Sequence, residues 1–417
     1  MKYRITAHHT HSCDIQLPAS KSISNRALII RALAHSSQPI HQLAGCDDTT
    51  TLIKALNDNK TIVDIDNAGT AMRFLTAYYA IQEGCSVTLT GSQRMQQRPI
   101  GPLVEALQQV GAHINFLGEK GFPPLHIHGG SLQGSHITMP GNISSQFISA
   151  MLLIAPYIKH GIRISLQGEV LSLPYIDMTI GIMQQFGALV TRQGNNIEVL
   201  PSPYKAIPYN IEPDYTAASY WYAIAALNNN AYRLAHLPAH SLQGDAHIAS
   251  YASLWGVSTT FDSFGATIKP SGTYNSNPLK INLSGEPDLA QTIAMTCALR
   301  EQHFCIEGIA NLRIKESNRI DALISEAAKL GYCFSSPRHD CLVWNGQRCQ
   351  VHYPIVIDTH NDHRMAMSFA PAALRFDEIW IDNPMVVTKS YPQFWNDLLK
   401  AGFTITHNDN KENISCS

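Results

Sequence analysis

A glycine recurs along this chain where an amphipathic helical stretch gives way to an apolar strand, and this repeat limits the possible folds more than any other feature. The pattern runs from Leu103 to Ile114, turning at Gly111, and from Ile180 to Val190, turning at Gly187. Further copies turn at Gly265, Gly331 and Gly402, and a degenerate sixth is expected near Asn57-Asp58-Asn59, before Thr61 to Ile65. Glycine suits the position because the residue after a helix favours left-handed φ, which other residues adopt only at a cost. The turns fall about 70 residues apart, so each unit must hold two helices and several short strands, which excludes a solenoid of single hairpins. Six small α/β units fill the chain, and three plus three is the natural division into two domains.

Length agrees, since 417 residues exceed what one compact core accommodates. With 45% apolar and only 15% charged residues the chain reads as ordered throughout. A formal net charge of −2 excludes a general nucleic-acid binder, while leaving room for a local basic pocket. Nine cysteines without a C-x-x-C pair read as reduced thiols in a cytoplasm, not as a disulfide framework or a zinc site. The polar start around Lys2, Arg4 and His8-His9-Thr10-His11 lacks an apolar core segment, and no window is long enough to span a membrane, so a cytosolic protein is expected. Proline-rich segments from Pro201 to Asp214 interrupt the repeat before the helical Tyr215 to Leu227. The expected domains are 1–17 with 213–417, and 18–212, with crossovers at Leu17-Pro18 and around Asn210 to Pro213. Lys21 would then stand at the mouth of an interdomain cleft.

The candidate chemistry begins at Leu17-Pro18-Ala19-Ser20-Lys21-Ser22-Ile23-Ser24-Asn25-Arg26. Ser20 can cap a helix there, which puts Lys21, Ser22 and exposed amides at the positive end of the helix dipole, with Arg26 one turn further on. Alone, the stretch also reads as a plain cap, without the glycines of a P-loop. The same logic returns at Asn67-Ala68-Gly69-Thr70-Ala71-Met72-Arg73, where glycine lets a ligand approach the backbone closely. Arg94 and Arg98 precede Pro99, and arginine supplies bidentate contacts to carboxylate or phosphate. Ser144-Ser145-Gln146 offers uncharged donors before a helix from Ile148 to Ala155, and Ser172 with Tyr175 adds a hydroxyl and an aromatic ring.

The second half contributes acids and further bases. Asp288 opens a helix, where capping is the plain alternative. From Asn311 to Arg319 charge is dense, with Lys315 and Arg319 expected on one helical face beside Glu316. The stretch Asp358-Thr359-His360-Asn361-Asp362-His363-Arg364 admits a metal-cluster reading, weakened by the neighbouring Arg364. Lys389 completes eight cations at motif positions: Lys21, Arg26, Arg73, Arg98, Lys315, Arg319, Arg364 and Lys389. So many donors in a slightly acidic chain imply two separate anionic ligands bearing phosphate or carboxylate.

In order, LPASKSISNRALI, NAGTAMR, GSQRMQQRPIG, SSQF, LPYID, LRIKESNR, DTHNDHRMAM and TKSYP resemble the 5-enolpyruvylshikimate-3-phosphate synthase family of enolpyruvyl transferases along nearly the whole chain. The resemblance implies a monomer of two inverse α/β domains. Each would be built from three β-α-β-α-β-β repeats about a pseudo-threefold axis, with the active site in the interdomain cleft. It implies transfer of the enolpyruvyl group of phosphoenolpyruvate to the 5-hydroxyl of shikimate 3-phosphate without cofactor or metal, and inhibition by glyphosate.

By motif position the resemblance assigns shikimate 3-phosphate to Lys21, Ser22, Arg26, Ser144, Ser145, Gln146, Ser172, Tyr175, Asp288, Asn311 and Lys315. Phosphoenolpyruvate falls to Lys21, Asn67, Gly69, Arg98, Gln146, Arg319, Arg364 and Lys389. Asp288 would receive the hydroxyl proton, and Glu316 or Lys21 would deliver one to the methylene carbon. The chain departs from the family's common pattern at Phe74, Leu173, Pro213 and His360, the last where tyrosine is usual. The alternatives are the sister transferase acting on UDP-N-acetylglucosamine, whose loop cysteine is missing from Gln93 to Gly101, and a non-catalytic anion-binding relative.

Overall fold

The computed structural model describes residues 1–58, 60–134, 136–272 and 277–407, so that Asn59 of the sixth turn and the tail 411–417 lie outside the described residues. The chain forms two compact units, Met1–Pro18 with Glu212–Ser417, and Ala19–Ile211. Strand pairing explains why the first residues join the second half. Lys2–Thr6 lies between Ile379–Asp382 and Thr404–His407, antiparallel to both, and Cys13–Ile15 runs parallel to Tyr232–Ala235.

Among the described residues each unit carries three small sheets, all of mixed direction except the smallest, the parallel pair Ile40–His41 with Tyr209–Asn210. Helices that are apolar nearly all round fill the interior, as buried helices must. Tyr215–Leu227 and Ala290–Leu299 are the clearest cases, each with almost every residue buried. No helix among the described residues is long and apolar enough to cross a membrane.

The glycine turns explain how helix gives way to strand. Gly111, Gly187 and Gly402 take φ of 96°, 87° and 86° after helices Gly101–Gln109, Leu173–Gln185 and Phe394–Lys400. Strands His113–Phe116, Val190–Gln193 and Thr404–His407 follow them. Gly331 closes the helix Arg319–Lys329 with φ 86°, but Tyr332 and Ser335 beyond it make only isolated bridges.

The expectation at Gly265 is corrected. That residue opens the second strand of a hairpin, Val257–Asp262 with Gly265–Pro270, whereas the preceding helix, Ile248–Leu254, closes on Gly256 with φ 75°. The two situations look alike in sequence because the hairpin also excludes a side chain. A Cβ on Gly265 would lie 2.2 Å from the Leu234 carbonyl oxygen.

Gly402 and Gly111 separate backbone strain from steric exclusion. A Cβ on Gly402 would lie 2.3 Å from the His9 carbonyl oxygen, while one on Gly111 meets nothing within 4 Å. Gly111→Ala is expected to cost about 1–2 kcal/mol, the left-handed penalty alone. Gly402→Ala should cost clearly more, and thermal unfolding of the two variants side by side checks the order.

Candidate active site

In the unit Ala19–Ile211, four helix beginnings are gathered together. Ser20 caps the helix Lys21–Leu33, its hydroxyl accepting from the Ile23 amide, and Ser144 caps Ser145–Ile154 by accepting from the Gln146 amide. Arg26, one turn into its helix, donates from Nε to Thr179 Oγ1 (2.7 Å) and from Nη2 to Ser149 Oγ (3.0 Å) and the Tyr175 carbonyl (3.4 Å). Its Nη1 returns to the Ser22 carbonyl at 2.9 Å. Ser149 and Thr179 lie midway along their helices, while Ser22 and Tyr175 stand in the first turns of theirs, so Arg26 joins Lys21–Leu33, Ser145–Ile154 and Leu173–Gln185. Gln146 Nε2 donates to Thr70 Oγ1 at 3.3 Å and brings in the start of Gly69–Ala80. Several positive dipole ends thus face one region, an arrangement suited to anions. Arg26 acts there as a buried strut, its guanidinium pushed down to about 10 by burial.

Other charged side chains of this unit differ in how they are compensated. Lys21 Nζ lies 3.1 Å from Asp48 Oδ2, both largely buried. Arg73 donates to the carbonyls of Gly69 (3.2 Å) and Pro99 (2.7 Å) and braces the two loops. Arg98 is different. It is only 6% exposed, its Nε has no hydrogen-bond partner, and among the described residues no carboxylate pairs with it. Its guanidinium lies flat against Gly69, where a Cβ would come within 2.7 Å of Nη1 and 2.9 Å of Nη2. Glycine is therefore required for Arg98 to occupy this position. Ser92 donates to Asn67 Oδ1 at 2.5 Å and fixes the neighbouring turn. Ser172 occupies the N-cap position of Leu173–Gln185 with a left-handed backbone, φ 56°.

In the other unit, Arg319 is the hub. Its Nε meets Asp362 Oδ2 at 2.6 Å, Nη1 meets Asp288 Oδ1 at 2.9 Å, and Nη2 meets Glu316 Oε2 at 2.8 Å. Arg364 Nη2 holds the second oxygen of Asp288 at 2.6 Å, and Lys389 Nζ lies 3.5 Å from Glu316 Oε1. Burial by itself would raise the Asp288 carboxyl, but Arg364, Lys315 and Arg319 outweigh it and hold the group well below the usual carboxylate range. Burial would likewise lower Arg319, and Asp362, Glu316 and Asp288 reverse that. Asp288 is thus an ionised carboxylate at neutral pH, set among cations on the 3₁₀ turn Pro287–Leu289.

The comparisons with known proteins agree along the chain. The family model for EPSP synthase (3-phosphoshikimate 1-carboxyvinyltransferase) matches residues 53–398. A curated 3-phosphoshikimate 1-carboxyvinyltransferase from Bacteroides fragilis is 48% identical over 97% of this chain and 99% of its own. The chain belongs to the EPSP synthase family. A relative of the same name from Methanosphaerula palustris is 33% identical over 92% of this chain and 96% of its own. An EPSP synthase structure from Acinetobacter baumannii superposes with a TM-score of 0.74 at 20% identity, covering 98% of this chain and all of that one, which bears on the fold alone.

Within this EPSP synthase family member two local expectations change. Lys315 and Arg319 do not share a helical face, because the 3₁₀ turn Ala310–Ile314 ends at Lys315 and the next helix begins only at Arg319. Asp288 does not cap its helix; its carboxylate serves Arg319 and Arg364. The structure also brings in carboxylates that sequence reasoning left unassigned. Asp48 pairs with Lys21 across 27 positions, a separation that leaves no local signal. Asp362, read before only as a metal-ligand candidate, is the closest partner of Arg319. Asp245 accepts a hydrogen bond from Thr216, and burial together with Asp288 pushes its carboxyl up to about 7.

Asp288 carries a pH signature. Its folded value lies below the unfolded one, near 3.9, so its contribution is complete above about pH 4 and is lost as pH falls through the folded value. Asp288→Asn should cost on the order of 2 kcal/mol at pH 7, less than a fully buried pair because the carboxylate is partly exposed. Denaturation midpoints taken at pH 7 and at successively lower pH should show this gap closing.

Proposed function

We propose that this chain transfers the enolpyruvyl group of phosphoenolpyruvate to the 5-hydroxyl of shikimate 3-phosphate, with release of phosphate, as a 3-phosphoshikimate 1-carboxyvinyltransferase (EC 2.5.1.19). The observation that carries this reading is Arg98, a buried guanidinium without a carboxylate partner among the described residues, lying against a glycine amid gathered helix beginnings. A buried cation without a counter-charge is costly unless a ligand supplies one.

In this reading Arg98, Lys21, Asn67, Gly69 and Gln146, with Arg319, Arg364 and Lys389, hold phosphoenolpyruvate. Ser22, Ser144, Ser145 and Ser172 take the shikimate phosphate, joined by Arg26, Tyr175, Asn311 and Lys315. Protonation at the terminal methylene carbon develops cationic character at the adjacent carbon, where the 5-hydroxyl adds to give a tetrahedral adduct; this then loses phosphate and a proton from the new methyl group, restoring the carbon–carbon double bond of the enol ether. Asp288, ionised at neutral pH, accepts the hydroxyl proton. Glu316, hydrogen-bonded to Arg319 and close to Lys389, relays the other proton, with Lys21 as the second candidate donor. The protein acts in the cytosol as a monomer, and glyphosate competes for the phosphoenolpyruvate residues.

The test is phosphate release from phosphoenolpyruvate in the presence of a chelator. Release should require shikimate 3-phosphate and fall at least about 100-fold in Asp288→Ala and Glu316→Ala. Release with UDP-N-acetylglucosamine instead, or with neither acceptor, overturns the reading. Gly69→Ala places a methyl group where the Arg98 guanidinium lies, so the glyphosate inhibition constant should rise by about tenfold or more. An unchanged constant would show that Arg98 has no part in binding this inhibitor.

A further inference from the structure

Two consecutive non-glycine residues, His360 and Asn361, hold left-handed φ values of 51° and 55° immediately before Asp362 and Arg364. Non-glycine residues in this region are uncommon, and two in succession persist only where their surroundings over-determine them. The turn is fixed from several directions. Within it, the His360 amide donates to Asp358 Oδ1 (2.7 Å) and the Asp362 amide to the Thr359 carbonyl (2.8 Å). From outside, Glu326 Oε2 accepts from the Asp358 amide (2.9 Å), and Glu326 Oε1 meets His360 Nε2 at 3.0 Å. A carboxylate only accepts, so Nε2 carries the proton, whether the ring is neutral or charged.

Glu326 is buried, and Lys329 Nζ (2.6 Å) and Ser325 Oγ (3.2 Å) complete its partners. It stands on the helix that begins with Arg319, seven residues or about 10 Å further along. At the other end of the same turn, Asp362 takes the Arg319 guanidinium. The turn is therefore pinned to one helix at two points. On its far side Asn383 Nδ2 donates to Asn361 Oδ1 at 2.8 Å, and Asn383 opens the 3₁₀ segment Pro384–Lys389. Three cations on three segments, Arg319, Arg364 and Lys389, thus take their mutual placement from one strained turn.

We propose that Glu326 and His360 are positioning residues for phosphoenolpyruvate binding, tethering the left-handed turn so that Arg364 stays in register with Arg319 and Lys389. This rests on the function proposed above. Neither residue has to touch the ligand, and the effect reaches it through placement of the cations, where a displacement of about 1 Å is costly.

His360→Leu removes the donor, and His360→Gln keeps an N–H able to reach Glu326. In steady-state assays of the full chain, His360→Leu should raise KM for phosphoenolpyruvate about tenfold, with KM for shikimate 3-phosphate within about twofold and the thermal midpoint little changed. His360→Gln should recover most of the loss. An unaltered phosphoenolpyruvate KM in His360→Leu overturns the proposal. So does a parallel rise of both KM values with a fall in thermal midpoint, or a His360→Gln enzyme as impaired as His360→Leu. Hydrogen exchange at residues 359–364 is measured on the same proteins. If the wild type releases no phosphate with either acceptor, the functional reading fails by itself. Faster exchange in His360→Leu, reversed in His360→Gln, then still supports the tether, and unchanged exchange overturns it.

Discussion

Charge buried without compensation is what the rest of this structure is arranged around. Arg98 and Arg319 are both buried guanidinium groups, yet they are treated in opposite ways. Arg319 is enclosed by Asp362, Asp288 and Glu316, so that its position is fixed before any ligand arrives. Arg98 pairs with no carboxylate among the described residues and lies on a glycine whose missing side chain makes room for it. The first arrangement gives preorganisation, and the second leaves an unmet demand for negative charge.

The repeat supplies the framework for both. Arg26 ties three helices of one unit together through Ser149, Thr179 and the Tyr175 carbonyl. In the other unit Ser219, Thr292 and Ser368 do the corresponding work on helices Tyr215–Leu227, Ala290–Leu299 and His363–Phe369, with oxygen separations of 3.2 and 3.4 Å. Each unit solves the same packing problem, three small sheets around nearly all-apolar helices, with a buried polar knot between those helices. The charged side chains of the candidate site stand beside these knots. At the starts of Lys21–Leu33, Gly69–Ala80 and Ser145–Ile154 the backbone amides and dipoles add to positive side-chain charge instead of opposing it.

Much of this was legible in the sequence because the signals were local. Glycine at a helix end, serine before a helix and the run Tyr215 to Leu227 are short-range statements, and the structure gives Tyr215–Leu227 as a helix with the bounds expected. The Gly265 expectation failed because a hairpin and a helix end can make the same demand on one residue. A spacing of four makes Lys315 and Arg319 look helical, whereas Lys315 closes a 3₁₀ turn and Arg319 opens the next helix. The pairing of carboxylates with cations was not legible. Asp48 with Lys21, Asp288 with Arg364 and Glu326 with His360 are joined only by the fold, across 27, 76 and 34 positions.

The central claim is that Arg98 waits for the negative charge of phosphoenolpyruvate. Its most direct test is calorimetric titration of phosphoenolpyruvate into the wild type and Arg98→Gln, each saturated with shikimate 3-phosphate. The account predicts a loss of affinity of about 2–3 kcal/mol in the variant, the value of a buried charge-assisted contact, with shikimate 3-phosphate binding itself unchanged. Equal affinity in the two proteins would contradict it.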